Sequence, residues 1–177
     1  MHIYELLNQG GPIMYILLVL NIVGFAIMIT KFIKLLLIKR RSAAFIFANI
    51  LDNIKKRDIH EYDREVRTKL VRDEMDISLH KLESGLTTVR VISTIAPLLG
   101  LLGTVIGILS AFKTVSVSGL DDPSSFAGGI SMALLTTVGG LIVAIPHNIG
   151  YNYIIKIIDG IEVYLEAELL PQVLKLK

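Results

Sequence analysis

The sequence predicts an all-α integral membrane protein with three transmembrane helices per chain. Of its 177 residues, 53% are apolar and only 19% are charged, a balance too hydrophobic for a soluble domain of this size. Two uncharged stretches, 91–112 and 126–155, are each long enough to cross a bilayer core, yet both are crowded with Gly, Ala, Ser and Thr where lipid-facing positions would favour Leu and Phe. A membrane helix that gives so many positions to small residues is built for close helix contact or for lining a narrow polar path. The chain therefore reads as a component of an assembled channel.

Charge and motif content narrow the function classes. A net charge of +2, without basic runs interleaved with stacking aromatics, argues against nucleic acid as a partner. There is no Cys, which excludes disulfides, thiolate nucleophiles and zinc–thiolate sites. HExxH, GxSxG, paired intramembrane aspartates and a phosphate-cradling glycine loop are all missing from the sequence, so neither an enzyme nor a bound cofactor or metal is expected. The lipid bilayer is the partner that composition alone implies.

Residues 1–11 read as a short periplasmic segment, offering Ile3, Tyr4, Leu6 and Leu7 to the outer membrane surface. They hold Glu5 and no Lys or Arg, unlike the basic start of a cleavable signal, so the apolar segment that follows is expected to be a retained anchor. Gly10 and Gly11 break any preceding helix and Pro12 suits a first turn, opening transmembrane helix 1 over 12–38. Its far end carries Lys31 and Lys34, whose stems can reach the headgroups, and then Lys39, Arg40 and Arg41. Of 18 Lys and Arg residues, 12 lie between Lys39 and Arg90, whereas 113–125 holds only Lys113. By the positive-inside rule the amino terminus lies outside and 39–88 lies in the cytoplasm.

That cytoplasmic region lacks Gly and Pro as far as Ser84. Val66, Leu70 and Ile77, then Leu79, Leu82, Leu86 and Val89, recur at mostly helical spacing, which predicts helix leading directly into transmembrane helix 2 at 89–112. The mixed charges from Asp63 to Glu74 read as a solvated helix face, with a docking surface for a cytoplasmic partner as the functional alternative. A periplasmic loop at 113–125 precedes transmembrane helix 3 at 126–153. Ile154, Ile157, Ile161, Leu165 and Leu169 then continue one apolar face through the carboxyl-terminal extension, 154–177, until Pro171 ends it. The second and third helices are thus expected to extend into the cytoplasm, where the carboxyl terminus also lies.

On helix 2, Ser93, Ala96, Gly100, Gly103, Gly107 and Ser110 alternate at steps of three and four and form one stripe of small side chains, with Pro97 beside it. Gly129, Ala133, Thr136, Gly140 and Ala144 form a comparable series on helix 3, at steps of four, three, four and four. Such stripes let a neighbouring backbone come close, so the helices are expected to pair with each other or with copies in other subunits. Thr104 and Thr137 sit well inside the spans, where a hydroxyl bonds its own helix or faces a hydrated path. Neither stretch contains Asp or Glu, and an unassisted charge in hydrocarbon costs roughly 2.5–3.5 kcal/mol. His147 is the one side chain in them that titrates near neutral pH, although solvation beside Asn148 accounts for it more simply. A central acid is expected from another protein.

The segments APLLGLLGTVIGI at 96–108 and ALLTTVGGLIVAIP at 133–146, followed by Tyr151 and Asn152, closely resemble the paired motifs of the ExbB/TolQ branch of the MotA/TolQ/ExbB family. Their order, their interval and the three-span pattern agree along nearly the whole chain. The resemblance implies a bacterial inner-membrane homo-pentamer whose second and third spans surround a central pore. Single-span helices of an ExbD/TolR-like partner, bearing a membrane aspartate, would occupy it, and protons would be the coupling ion. Thr104 and Thr137 match the family's pore threonines. Met132 stands where the family commonly has a glutamate, which would leave the partner's acid as the main proton carrier. The implied function is a stator of a proton-motive-force-driven motor that energises a TonB-like or TolA-like protein, the ExbB side being favoured. The alternative is a passive membrane scaffold without ion flux.

Overall fold

Long apolar runs bounded by glycines set the architecture. The computed structural model describes residues 3–41, 48–50, 52–53, 63–119 and 123–175. Its principal helices are α1 (Ile3–Gln9), α2 (Gly11–Arg41), α3 (Arg64–Glu83), α4 (Leu86–Ser118) and α5 (Pro123–Lys175). Within α2, α4 and α5, the stretches Gly11–Leu36, Leu86–Val117 and Phe126–Glu168 are long and apolar enough to cross a membrane. At ~1.5 Å per residue, about 20 residues suffice for a hydrocarbon core of ~30 Å. The chain divides into two compact units, residues 1–28 with 87–151 and residues 29–86 with 152–177.

In the first unit, α1 closes where the Gly10 N–H donates to the Leu6 carbonyl at 3.0 Å. Gly11 then takes φ 66°, a left-handed value that a side chain would strain, and α2 begins without an intervening loop. The Tyr15 hydroxyl donates to Asn8 Oδ1 at 2.7 Å and ties the two helices together. The core is made by Ile13 and Leu17 of α2, Ile92 and Ala96 of α4, and Val143 and Ala144 of α5. The Arg90 guanidinium of α4 lies 5.9 Å from the centre of the Tyr151 ring of α5, a cation–π distance. Leu101, Val105, Leu109 and Phe112 of α4, with Leu134, Ile142 and Ile149 of α5, stay exposed, as suits surfaces that meet lipid or another chain.

α4 does not stop at Phe112, where the uncharged stretch ends and the loop is expected to begin. It runs to Ser118, with the Thr114 hydroxyl donating to the Ser110 carbonyl at 3.1 Å. Gly119 ends it, at φ 76° and with its N–H on the Val115 carbonyl at 2.9 Å.

The second unit corrects three expectations. The first concerns the entry to α4. α3 does not lead directly into it, because the Ser84 N–H closes on the His80 carbonyl at 3.0 Å and Gly85 takes φ 85°. The second is the apolar face of α3, which buries Val71, Met75, Leu79 and Glu74, while Val66 and Ile77 are exposed. The third is Pro171, which lies inside α5 and does not end it, since the helix continues to Lys175. A proline forfeits one N–H but has a helical φ, and near a helix end little of the ladder depends on that bond. On α5 the buried residues of this unit are Ile154, Ile158, Ile161 and Leu165. Ile157 is only half-buried, and the side chain of Leu169 lies outside the described residues.

Each end of α3 is closed by a side chain. Asp63 caps the start, its carboxylate accepting from the Arg64 N–H at 2.7 Å and its carbonyl from the Arg67 N–H at 3.0 Å. At the other end the Lys31 ammonium of α2 donates to the Leu82 carbonyl at 2.9 Å and lies 3.5 Å from that of Lys81. Lys31 therefore satisfies orphan carbonyls at a helix C-terminus, where the macrodipole also favours a cation. Lys31→Met, which keeps the stem and removes the donor, is expected to weaken the last turn of α3 by about 1–2 kcal/mol. Hydrogen–deuterium exchange should find amides there exchanging roughly tenfold faster, since ~1.4 kcal/mol is one decade, with protection retained in Lys31→Arg.

Candidate functional site

α4 and α5 touch backbone to backbone, running antiparallel through the first unit. A Cβ built on Gly107 would lie 2.6 Å from the Gly129 carbonyl oxygen and 2.8 Å from the Ala133 nitrogen. The relation is reciprocal, since a Cβ on Gly129 would lie 2.7 Å from the Gly107 oxygen and 2.8 Å from the Ala111 nitrogen. One on Gly140 would lie 2.6 Å from the Ala96 oxygen, and one on Gly100 2.8 Å from the Thr136 oxygen. Gly103 faces Thr136, which is fully buried and whose hydroxyl bonds back to Ala133 and Met132 carbonyls of its own helix. Pro97 is half-buried one step from Ala96. At the far end the stripe departs from the expected spacing. Ser110 is exposed, and Ala111, a step of four from Gly107 instead of three, is the residue against Gly129.

Where the helices are this close, the hydroxyls of Thr104 and Thr137 meet directly. Thr104 Oγ1 is also 3.2 Å from the carbonyls of Gly100, on its own helix, and Ala133, across the seam. Thr137 Oγ1 lies 3.5 Å from the Gly100 carbonyl. Both threonines are half-buried, so the pair stands at the edge of the unit. Two hydroxyl hydrogens thus face two carbonyls and each other, an acceptor-rich cluster in an otherwise apolar seam. Met132 turns elsewhere, its terminal methyl 3.0 Å from a Cβ position on Gly11. Among the described residues no group of three or more acidic or histidine side chains could hold a metal.

His147 is not solvated as the sequence suggests. It is 0% exposed, its imidazole filling the gap over Gly24 of α2, with the Phe25 ring edge-on at 4.8 Å and 64°. Nδ1 donates to the Val143 carbonyl at 2.6 Å. Sequence reasoning missed this because the partner of the ring is a missing side chain on another helix.

Three apolar helices, two of them joined by a glycine seam that holds a threonine pair, define a multi-pass helical membrane protein. Residues 39–167 match the MotA/TolQ/ExbB proton channel family, and the chain belongs to that family. The matched range contains the whole α4–α5 seam. The chain is 33% identical to the biopolymer transport protein ExbB homolog of Methanothermobacter thermautotrophicus, over 89% of this chain and 64% of that one. It is 38% identical to biopolymer transport protein exbB1 of Vibrio cholerae, over 49% and 39% of the two chains. It is 43% identical to biopolymer transport protein ExbB of Helicobacter pylori, over 48% and 58%. The match thus spans less than two thirds of the length of each of these relatives. Conduction, not an enzymatic reaction, is the property by which the family is described.

The seam makes a position-specific prediction. Gly107→Ala puts a methyl group against backbone that cannot yield, so it should destabilise the chain by about 1–3 kcal/mol, as overpacking does. Gly128 has nothing within 4 Å, and Gly128→Ala should be neutral or gain about 0.5–1 kcal/mol from helix propensity. Thermal unfolding of the two purified variants in detergent, beside the parent, checks the contrast.

Proposed function

We propose that the chain is the channel subunit of a proton-driven machine in the bacterial inner membrane, with its amino terminus in the periplasm and its carboxyl terminus in the cytoplasm. The observation that carries this reading is the Thr104–Thr137 pair, two hydroxyls meeting in an acid-free seam of a chain from a proton channel family. Copies of the chain, five by the family resemblance, would surround a pore lined by α4 and α5 with the threonine pair facing it. A single-span ExbD/TolR-like protein in that pore would supply the aspartate. With Met132 where the family resemblance expects an acid, that aspartate would carry the proton through the pore. Each proton crossing 100 mV releases about 2.3 kcal/mol, enough to bias two packings of a helix bundle tens-fold. The motion would energise a TonB-like periplasmic protein, or a TolA-like one, in the manner of a stator; the description of the relatives as biopolymer transport proteins supports the first.

Proton uptake into liposomes under an imposed potential tests this, with the chain alone and with a candidate single-span partner carrying an intramembrane Asp. Uptake is expected only with the partner. It should fall at least about tenfold, the effect of ~1.4 kcal/mol on a barrier, in Thr104→Val and in Thr137→Val, with the oligomer intact on size-exclusion chromatography. Uptake undiminished in both variants would move the path away from the pair. No uptake in any mixture would favour a passive scaffold.

A further inference from the structure

Two buried side-chain atoms of the first unit have no hydrogen-bond partner among the described residues: His147 Nε2 of α5 and Asn21 Oδ1 of α2. Their chemistry is the same. A backbone carbonyl only accepts, so the 2.6 Å contact with Val143 places the proton of a neutral imidazole on Nδ1 and leaves Nε2 as a bare lone pair. Asn21 Oδ1 is likewise an acceptor. Neither can satisfy the other.

Their placement brings them to one region. Asn21 precedes Gly24 and Phe25 by three and four residues, which sets it one turn away on the face of α2 that meets the imidazole. α4 closes the third side, the Ile92 side chain coming within 3.2 Å of a Cβ position on Gly24. The groups that meet the ring, Gly24 and Phe25 of α2 and the Val143 carbonyl of α5, are uncharged, as is Ile92 of α4. Both atoms are covered by the chain's own helices, so another subunit does not reach them. The ligand that fits is small, neutral and carries two donor hydrogens.

We propose that α2, α4 and α5 enclose a binding site for a single water molecule, which donates one O–H to His147 Nε2 and the other to Asn21 Oδ1. Buried polar atoms left unmatched by protein are the places where structural water is held. The site lies ten residues along α5 from Thr137, about 15 Å at 1.5 Å per residue, and does not depend on proton conduction. It holds His147 as the Nδ1–H tautomer and gives this part of the bundle a polar joint.

Magic-angle-spinning NMR of the assembled chain in lipid, labelled with 15N-histidine and with His147 assigned by its loss in His147→Gln, tests the site. At neutral pH the expected result is a protonated Nδ1 and an unprotonated Nε2 that receives magnetisation from water. That transfer should be lost in Asn21→Leu and retained in Asn21→Ser, which keeps an acceptor, with the Nδ1–H signal unchanged in both. A protonated Nε2, no transfer from water in the parent chain, or transfer undiminished in Asn21→Leu would each overturn the proposal.

Discussion

The contact on which the first unit depends is the backbone-to-backbone seam between α4 and α5. Inside a bilayer, lipid tails are as apolar as leucine, so little hydrophobic force presses two helices together, and association relies on close van der Waals contact and interhelical hydrogen bonds. Reciprocal glycines at 107 and 129, with Gly100 and Gly140 further along, leave only small side chains between the two backbones. The threonine pair follows from this. A threonine hydroxyl stands only two bonds from the backbone, so Thr104 and Thr137 meet only because the backbones already touch. Polarity at this site is a consequence of packing.

α2 joins the same α5 by a different rule. Here one helix supplies a side chain and the other a glycine gap: Met14 over Gly139, His147 over Gly24, and Met28 over Gly150. Two of these three knobs are methionines, whose unbranched thioethers adapt to irregular gaps. A backbone seam has no such latitude, because carbonyls and amide nitrogens cannot move without breaking a helix. α5 thus carries a rigid seam towards α4 and a more forgiving one towards α2. Any rearrangement within this unit is expected to leave the first intact and use the second.

How much of this was legible in the sequence depended on whether a feature repeats along one helix. The three spans were legible because length and uncharged composition suffice to define them. The seam was legible because small residues at steps of three and four mark one face, but a helix of 3.6 residues per turn does not choose between those steps. Hence Ser110 is expected where Ala111 is found. Features made by two distant segments were not legible. Lys31 reads as a lysine reaching for headgroups, and nothing local tells that it closes the end of α3. His147 reads as solvated because the gap it fills is the absent side chain of Gly24. Of the helix ends, Gly85 and Gly119 mark turns that hydrophobic periodicity passes over, whereas Pro171 is a breaker by type that breaks nothing here.

The hydrogen count at the threonine pair constrains what could work beside it. Two hydroxyls carry two hydrogens, and one is spent in the bond between them. The other has the Gly100 and Ala133 carbonyls within 3.2 Å of Thr104. While those bonds stand, no donor is left over, but lone pairs on the hydroxyls are. A carboxylic acid arriving from a partner helix would find an acceptor for its proton. The corresponding carboxylate would find no donor until a hydroxyl turned away from its carbonyl, and its desolvation would go uncompensated. As arranged, the pair favours the neutral acid over the anion, and admits the anion only at the cost of an interhelical or backbone hydrogen bond. In a seam without charged side chains, turning one O–H bond would link the protonation of such an acid to the packing of α4 on α5.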